Sequence, residues 1–337
     1  MTFVRLLCAA LALAAFPALG QKTQLLVYTA LETDQLKAYE QGFYREVNDV
    51  EIRWVRDSTG VITAKLLAEK ANPQADVIMG VAASSLALLD SQGMLHPYAP
   101  LNLDAIMMKY RDPKNPPAWF GMDVWGATVC FNTVEAKKRN IPKPETWKDL
   151  LKPAFKGQIV MPNPASSGTG FFDVVAWLNL WGEKGGWEYM DKLHENIAMY
   201  THSGSRPCNM AASGEFVAGI SFEYRGNTNK AKGAPIDLVF PKEGLGWDLE
   251  AFAIHKGTKK LDAAKKLADW ASSKNAMILY GKNFAITAQP GVAEPLANVP
   301  KDYEDRLVKM DFKKTAENRE RILAEWTKRY NGKTEKR

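Results

Sequence analysis

The chain has 337 residues, 46% hydrophobic and 24% charged, with a formal net charge of +6 at neutral pH. That length exceeds one comfortable core and suits two lobes with a cleft between them, and the composition excludes a disordered or low-complexity chain away from its ends. The modest positive charge suits an anionic ligand or an anionic membrane surface and does not choose between them.

Residues 1–20 read as a secretory signal. Arg5 precedes an apolar stretch from Leu6 to Phe16, Pro17 breaks it, and Ala18 and Gly20 set a small-residue cleavage site before Gln21. The stretch is too short to span a membrane, which takes roughly 20 apolar residues, and the expected product is an exported, periplasmic protein. Cys8 leaves with the signal. Cys130 and Cys208 remain, free to form a disulfide in an oxidising compartment, although Cys130 in "GATVCFN" also reads as plain core.

From Gln24 onward strand and helix signals alternate. "QLLVYTA" is a strand, "LETDQLKAYEQGFYREV" an amphipathic helix, "VEIRWVRD" a strand, "STGVITAKLLAEKA" a helix, "ADVIMGV" a strand and "SSLALLDSQG" a helix. This is an α/β pattern with a mainly parallel sheet, whose ligands sit beyond the strand carboxyl ends at Tyr28, Asp57 and Gly80. Residues 97–117 form a loop, and "WGATVCFNT" is a strand that crosses to a second lobe. That lobe holds a helix at "ETWKDLLK", strand "GQIVMP", helices at "TGFFDVVAWLNLWG", "GGWEYMDKLHENI" and "RPCNMAASGEF", then strands "VAGISFEY" and "IDLVFP". "DLEAFAIHK" returns the chain to helices over 260–281 and a polar, Lys-rich tail. The expected domains are 21–125 with 255–337, discontinuous, as lobe 1 and 126–254 as lobe 2, hinged near 124–131 and 246–254.

Small hydroxyl residues recur where strands meet helices: Thr29 and Ala30, Ser58 and Thr59, Ala83 and Ser84, and in the second lobe Ser166, Ser167, Gly168 and Thr169, followed by Ser203, Ser205 and Arg206. Any one of these is an ordinary helix cap. Together they offer neutral donors at helix N-termini, an environment that holds an anion. Glu32, Asp123, Trp125, Glu223, Tyr224 and Trp247 also fall near strand ends, and carboxylates among aromatic rings suit a small amine. An anion cradle beside carboxylates points to a zwitterion. No G-x-S-x-G, P-loop, H-E-x-x-H or C-x-x-C motif is present, and nothing places a histidine beside Ser167 or Ser205 as a hydrolase would require. No nucleic-acid module appears.

With the leader, the alternation, "LLVYTALETDQLKAYEQGF", "PNPASSGTGFF" and "AGISFEYRGNTNKAKGAPIDLVFPKEG", the sequence resembles periplasmic solute-binding proteins of ABC importers. It is most similar to the ferric-ion-binding-like branch of the type II fold and, within it, to the 2-aminoethylphosphonate subgroup. The resemblance implies two lobes, each a mainly parallel sheet flanked by helices, linked by crossing strands, and a monomer that delivers its ligand to a membrane permease without a cofactor or a resident metal. Iron binders of the branch carry two adjacent tyrosines where this chain reads Phe222, Glu223, Tyr224, Arg225, with one. A ferric-ion, phosphate-ester or thiamine-type binder on the same fold is the alternative. By the resemblance, a phosphonate lies against Ser58, Thr59 and Ser166–Thr169, Tyr28 and Tyr224 close over it, and Glu32, Asp123 or Glu223 holds the ammonium.

Overall fold

The computed structural model describes residues 22–336; the expected leader lies outside them. The first lobe begins with β1 (Thr23–Thr29), α1 (Thr33–Tyr44), β2 (Val50–Arg56), α2 (Thr59–Ala68), β3 (Val77–Ala82), α3 (Ala83–Ser91) and the short β4 (Leu95–His96). β1 pairs in parallel with β2 and β3, and covered on both faces it reads as a nearly continuous apolar run in which Leu25 and Val27 are wholly buried.

β5 (Phe120–Asn132) is the crossing strand. Residues Phe120–Gly126 pair with β10 in the first sheet, and Ala127–Phe131 pair with β8 in the second. The second lobe then adds α4 (Thr133–Arg139), β6 (Ile159–Pro162), α5 (Gly168–Asn196), β7 (Ile197–Thr201), α6 (Arg206–Ser213), β8 (Ala218–Phe222), α7 (Glu223–Ala231) and β9 (Ile236–Val239). The chain returns through β10 (Trp247–His255), α8 (Leu261–Ala271), α9 (Lys274–Lys282), β11 (Ile286–Thr287), α10 (Tyr303–Arg306) and α11 (Phe312–Tyr330). The strand order is β2-β1-β3-β10-β5-β8-β6-β7, so one path runs through both lobes. In the first sheet β10 opposes its neighbours; in the second β5 does, and the remaining principal strands of each run one way.

Two apolar cores lie on either side of the crossing, one around Leu25, Phe43, Met79 and Tyr280, the other around Trp147, Phe155, Trp177 and Trp326. Cys130 of β5 and Cys208 of α6 form a disulfide within the second lobe.

Several elements differ from the sequence expectation. "ETWKDLLK" makes only a 3-10 turn at Lys148–Leu151. The two helices expected over 169–197 are arms of α5, broken at Gly182 with φ 73°. Glu223 and Tyr224, expected at the end of a strand, begin α7, because β8 stops at Phe222. The return passage is Phe240–Gly246, ahead of β10, which belongs wholly to the first sheet. The Lys-rich tail is not simply solvated: α11, expected on lobe 1, packs on α3 of that lobe and also buries Ile322, Trp326 and Tyr330 in the second lobe's core. Trp326 packs edge-on against Tyr200, and Lys333 caps the carbonyls of His194 and Ile197.

Candidate ligand cleft

A small cavity of about 40 Å³, partly open to solvent, lies between the lobes. Ala30, Glu32, Arg56, Ser58, Thr59, Gly80 and Glu250 line it from the first lobe, Trp125 stands at the crossing, and Ser167, Gly168, Thr169, Gly204 and Phe222 line it from the second. Strand carboxyl ends build this wall because each βα junction delivers a helix N-terminus there, with first-turn N–H groups that have no partner inside the helix.

Which N-termini are free follows from their neighbours. Gln35 accepts the Glu32 N–H at 2.7 Å, closing a capping box on α1. The start of α3 is occupied by Asp248, whose Oδ1 accepts the Ser84 N–H at 3.3 Å. Ala83 therefore serves that internal anion and does not line the cavity. Among the described residues the N-terminus of α5 has no such acid, and the acid beside α2 is exposed Asp57, whose Oδ1 accepts the Ser58 N–H at 2.7 Å ahead of the helix. Ser58 makes no side-chain cap on α2, and Ser167 caps α5 only through a long 3.4 Å bond from the Gly170 N–H. These two ends meet: a Cβ on Gly168 would stand 3.0 Å from both Thr59 Oγ1 and the Trp125 ring. The Gly60 N–H donates to the Ser166 carbonyl across the gap at 2.9 Å.

Acidic side chains cluster on β5, β10 and α7. Asp123 and Glu250 are cross-strand partners on β5 and β10, and burial drives both carboxyls well above the usual range. Glu223 is fully buried, accepts the Gly126 N–H at 2.7 Å, and is pushed up to about 8 by desolvation. At the rim Arg225 of α7 reaches back to the first lobe, meeting Glu32 at 2.7 Å and Asp34 at 3.1 Å, while Arg56 approaches Glu32 from its own side at 3.5 Å.

The residues named from sequence thus divide. Glu32, Ser58, Thr59, Trp125, Ser167, Gly168 and Thr169 line the cavity. Asp123 and Glu223 lie buried behind the lining residues. Tyr28 is turned away, its hydroxyl donating to Glu69 at 2.9 Å, so it does not close over the cleft. Tyr224 gives its hydroxyl to Asp34 at 3.3 Å, which places it in the rim contact. Ser166 donates to the His202 carbonyl, Ser205 pairs with Ser203, and Arg206 pairs with Glu335 at 2.9 Å. Trp247 is core, its indole N–H bonded to Val308. Sequence reading missed Glu250 and Phe222 as lining residues and Arg225 as the rim clasp. Glu250 sits mid-strand in "DLEAFAIHK", and an acid inside an apolar strand was the available signal.

The chain matches the family model described as bacterial extracellular solute-binding protein over residues 72–314, and it belongs to that family. Proteins of this kind deliver small molecules to ABC permeases from the periplasmic side. A solved structure of the periplasmic binding protein AfuA from Actinobacillus pleuropneumoniae, with fructose-6-phosphate bound, is 32% identical, with a TM-score of 0.86 over 92% of this chain and 99% of that one. A probable ABC transporter periplasmic-binding protein, y4fP, of Sinorhizobium fredii is 27% identical over 74% of this chain and 70% of its own. Iron-bound HitA from Pseudomonas aeruginosa shares the fold, with a TM-score of 0.76 at 17% identity over 90% of this chain and 99% of that one.

Proposed function

We propose that this solute-binding protein captures 2-aminoethylphosphonate, or a small aminophosphonate like it, between its lobes and passes it to the permease of an ABC importer. The observation that carries the reading is the meeting of two helix N-termini, one from each lobe, whose first-turn N–H groups no buried acid takes, in a cavity that also holds carboxylates and aromatic rings. In this reading the phosphonate oxygens accept from first-turn N–H groups of α2 and α5 and from the hydroxyls of Ser58, Thr59, Ser167 and Thr169, and bare Gly168 lets them approach. An anion held by both lobes favours the closed state, because half its donors are absent when the cleft is open. The ammonium turns to the carboxylates, and a ligand lacking it leaves one of them unpaired.

A sugar phosphate is the second reading, favoured by the 32% identity to a protein with fructose-6-phosphate bound. Its phosphate uses the same helix ends, and its hydroxyls donate to the carboxylates. Calorimetric titration of the mature protein with 2-aminoethylphosphonate, ethylphosphonate, fructose 6-phosphate and inorganic phosphate separates the two. The first reading expects 2-aminoethylphosphonate to bind tightest; fructose 6-phosphate binding tightest selects the second. No binding of any of the four at millimolar concentration overturns both.

A further inference from the structure

Three acids near the cleft are candidates for the ammonium from sequence, and none of them presents an unengaged oxygen at the cavity wall, because Glu32 is paired and Asp123 and Glu223, each with one unpartnered oxygen, do not line it. Glu32 spends its two oxygens on Arg56 and Arg225. Glu223 holds the backbone N–H of Gly126 at the crossing and does not line the cavity. Asp123 is 2% exposed and stands behind Glu250. Glu250 lines the cavity, and its Oε2 has no hydrogen-bond partner.

We propose that Glu250, backed by Asp123, receives the cationic end of the ligand, and that the pair gives up a shared proton as the ammonium arrives, so that capture releases one proton to solvent. This rests on the aminophosphonate reading above. The two residues face each other in the β5–β10 register, and each has one carboxyl oxygen without a hydrogen-bond partner among the described residues. Two buried carboxyls that close do not both ionise, so one keeps its proton in the empty cleft. The groups facing the pair from other elements are Glu32 and Tyr39 of α1, Glu223 and Tyr224 of α7, Tyr280 of α9 and Tyr303 of α10. All are acids or phenols. Arg225 and Arg56 reach this side of the cleft, but Arg225 is engaged by Glu32 and Asp34 and Arg56 by Glu32 and the Leu31 carbonyl. The counter-charge for an ionised pair must therefore come from the ligand.

A second feature points the same way. Trp125 lines the same cavity at 8% exposure with its indole N–H unbonded, and its ring packs on Phe172 and Phe222. Phe222 lines the cavity too. An alkylammonium between a carboxylate and aromatic faces is well matched, and the free indole N–H suits a ligand oxygen.

The test is calorimetry of wild type and Glu250→Gln with 2-aminoethylphosphonate at pH 7, in buffers of different ionisation heat, which counts protons released per binding event. Using one ligand on both proteins cancels protons that leave its own phosphonate. The expectation is about one more proton from wild type, and affinity of the variant lower by about 10- to 100-fold, the range for a lost hydrogen bond to a charged group. Ethylphosphonate, which has no amine, is expected to bind both proteins alike within a few fold, which also shows that the variant is folded. Equal proton counts, or equal affinity for 2-aminoethylphosphonate, overturn the assignment while leaving the phosphonate reading in place. If wild type binds neither phosphonate, both fall.

Discussion

Gly60 is where closure is most easily blocked without touching the ligand's chemistry. It lies in the first turn of α2 on the first lobe, and a Cβ there would stand 2.2 Å from the Ala165 carbonyl oxygen and 2.8 Å from the Ser166 carbonyl, both backbone of the second lobe. Ordinary contact begins at 3.4 Å, so Gly60→Ala requires the lobes to part by about 1.2 Å here. The Gly60 N–H to Ser166 bond, 2.9 Å in the closed form, then stretches past hydrogen-bonding range, a loss of about 1 kcal/mol, and the donors of α5 move off the ligand by a similar distance. We expect affinity to fall about 10- to 100-fold, with two or more weakened hydrogen bonds at about 1 to 1.5 kcal/mol each. In an open, ligand-free protein the added methyl meets only water, and alanine favours the helix by up to about 1 kcal/mol over glycine. The melting point without ligand should therefore hold or rise. Calorimetry and differential scanning fluorimetry on one preparation measure both quantities. Unchanged affinity, or a ligand-free melting point that drops along with affinity, refutes the reasoning, because the clash would then be absent or would belong to the folded core.

Arg225→Ala removes the clasp onto Glu32 and Asp34, which forms only when the lobes meet; affinity should fall at least about tenfold, given about 1.5 to 3 kcal/mol for charge-assisted bonds, and small-angle scattering should show less compaction at saturating ligand. Unaltered affinity and compaction would show that the clasp is incidental. Replacing Cys130 and Cys208 together by serine opens a loop of 78 residues and should cost about 4 kcal/mol of stability, read by urea unfolding, with ligand affinity preserved since the bond lies outside the cleft; a change under 1 kcal/mol would contradict this. Glu223 ionises near 4.5 when unfolded but near 8 in the fold, so its contribution is most favourable at low pH and declines as pH rises between those values. Glu223→Gln should flatten the fall in ligand-free melting temperature from pH 5 to 8.5, and parallel slopes for the two proteins would count against it.

The sequence announced the alternation of the first lobe because β1 and β3 are short apolar runs buried nearly throughout and β2 alternates buried and exposed residues, each followed by a helix. It misread the C-terminal tail because Ile322, Trp326 and Tyr330 are spaced one per turn among charges, a narrow stripe that a lysine count hides. The anion-facing loops were visible as small hydroxyl residues at strand ends, but which ones stay free was not. That depended on Asp248, 164 residues from Ser84, reaching the N-terminus of α3. Arg225 and Glu250 were hidden for the same reason: their roles come from partners across the cleft or across a sheet, which no local pattern contains.

The central claim is that an anion is held between the N-termini of α2 and α5, and a crystal structure of the protein grown with 2-aminoethylphosphonate tests it directly. The account predicts a phosphorus atom seated between Thr59 and Thr169, its oxygens within hydrogen-bonding distance of the first-turn N–H groups of both helices, and the amine directed at Glu250. Ligand bound elsewhere, or bound in the cleft with its phosphonate turned away from these two helix ends, would contradict it.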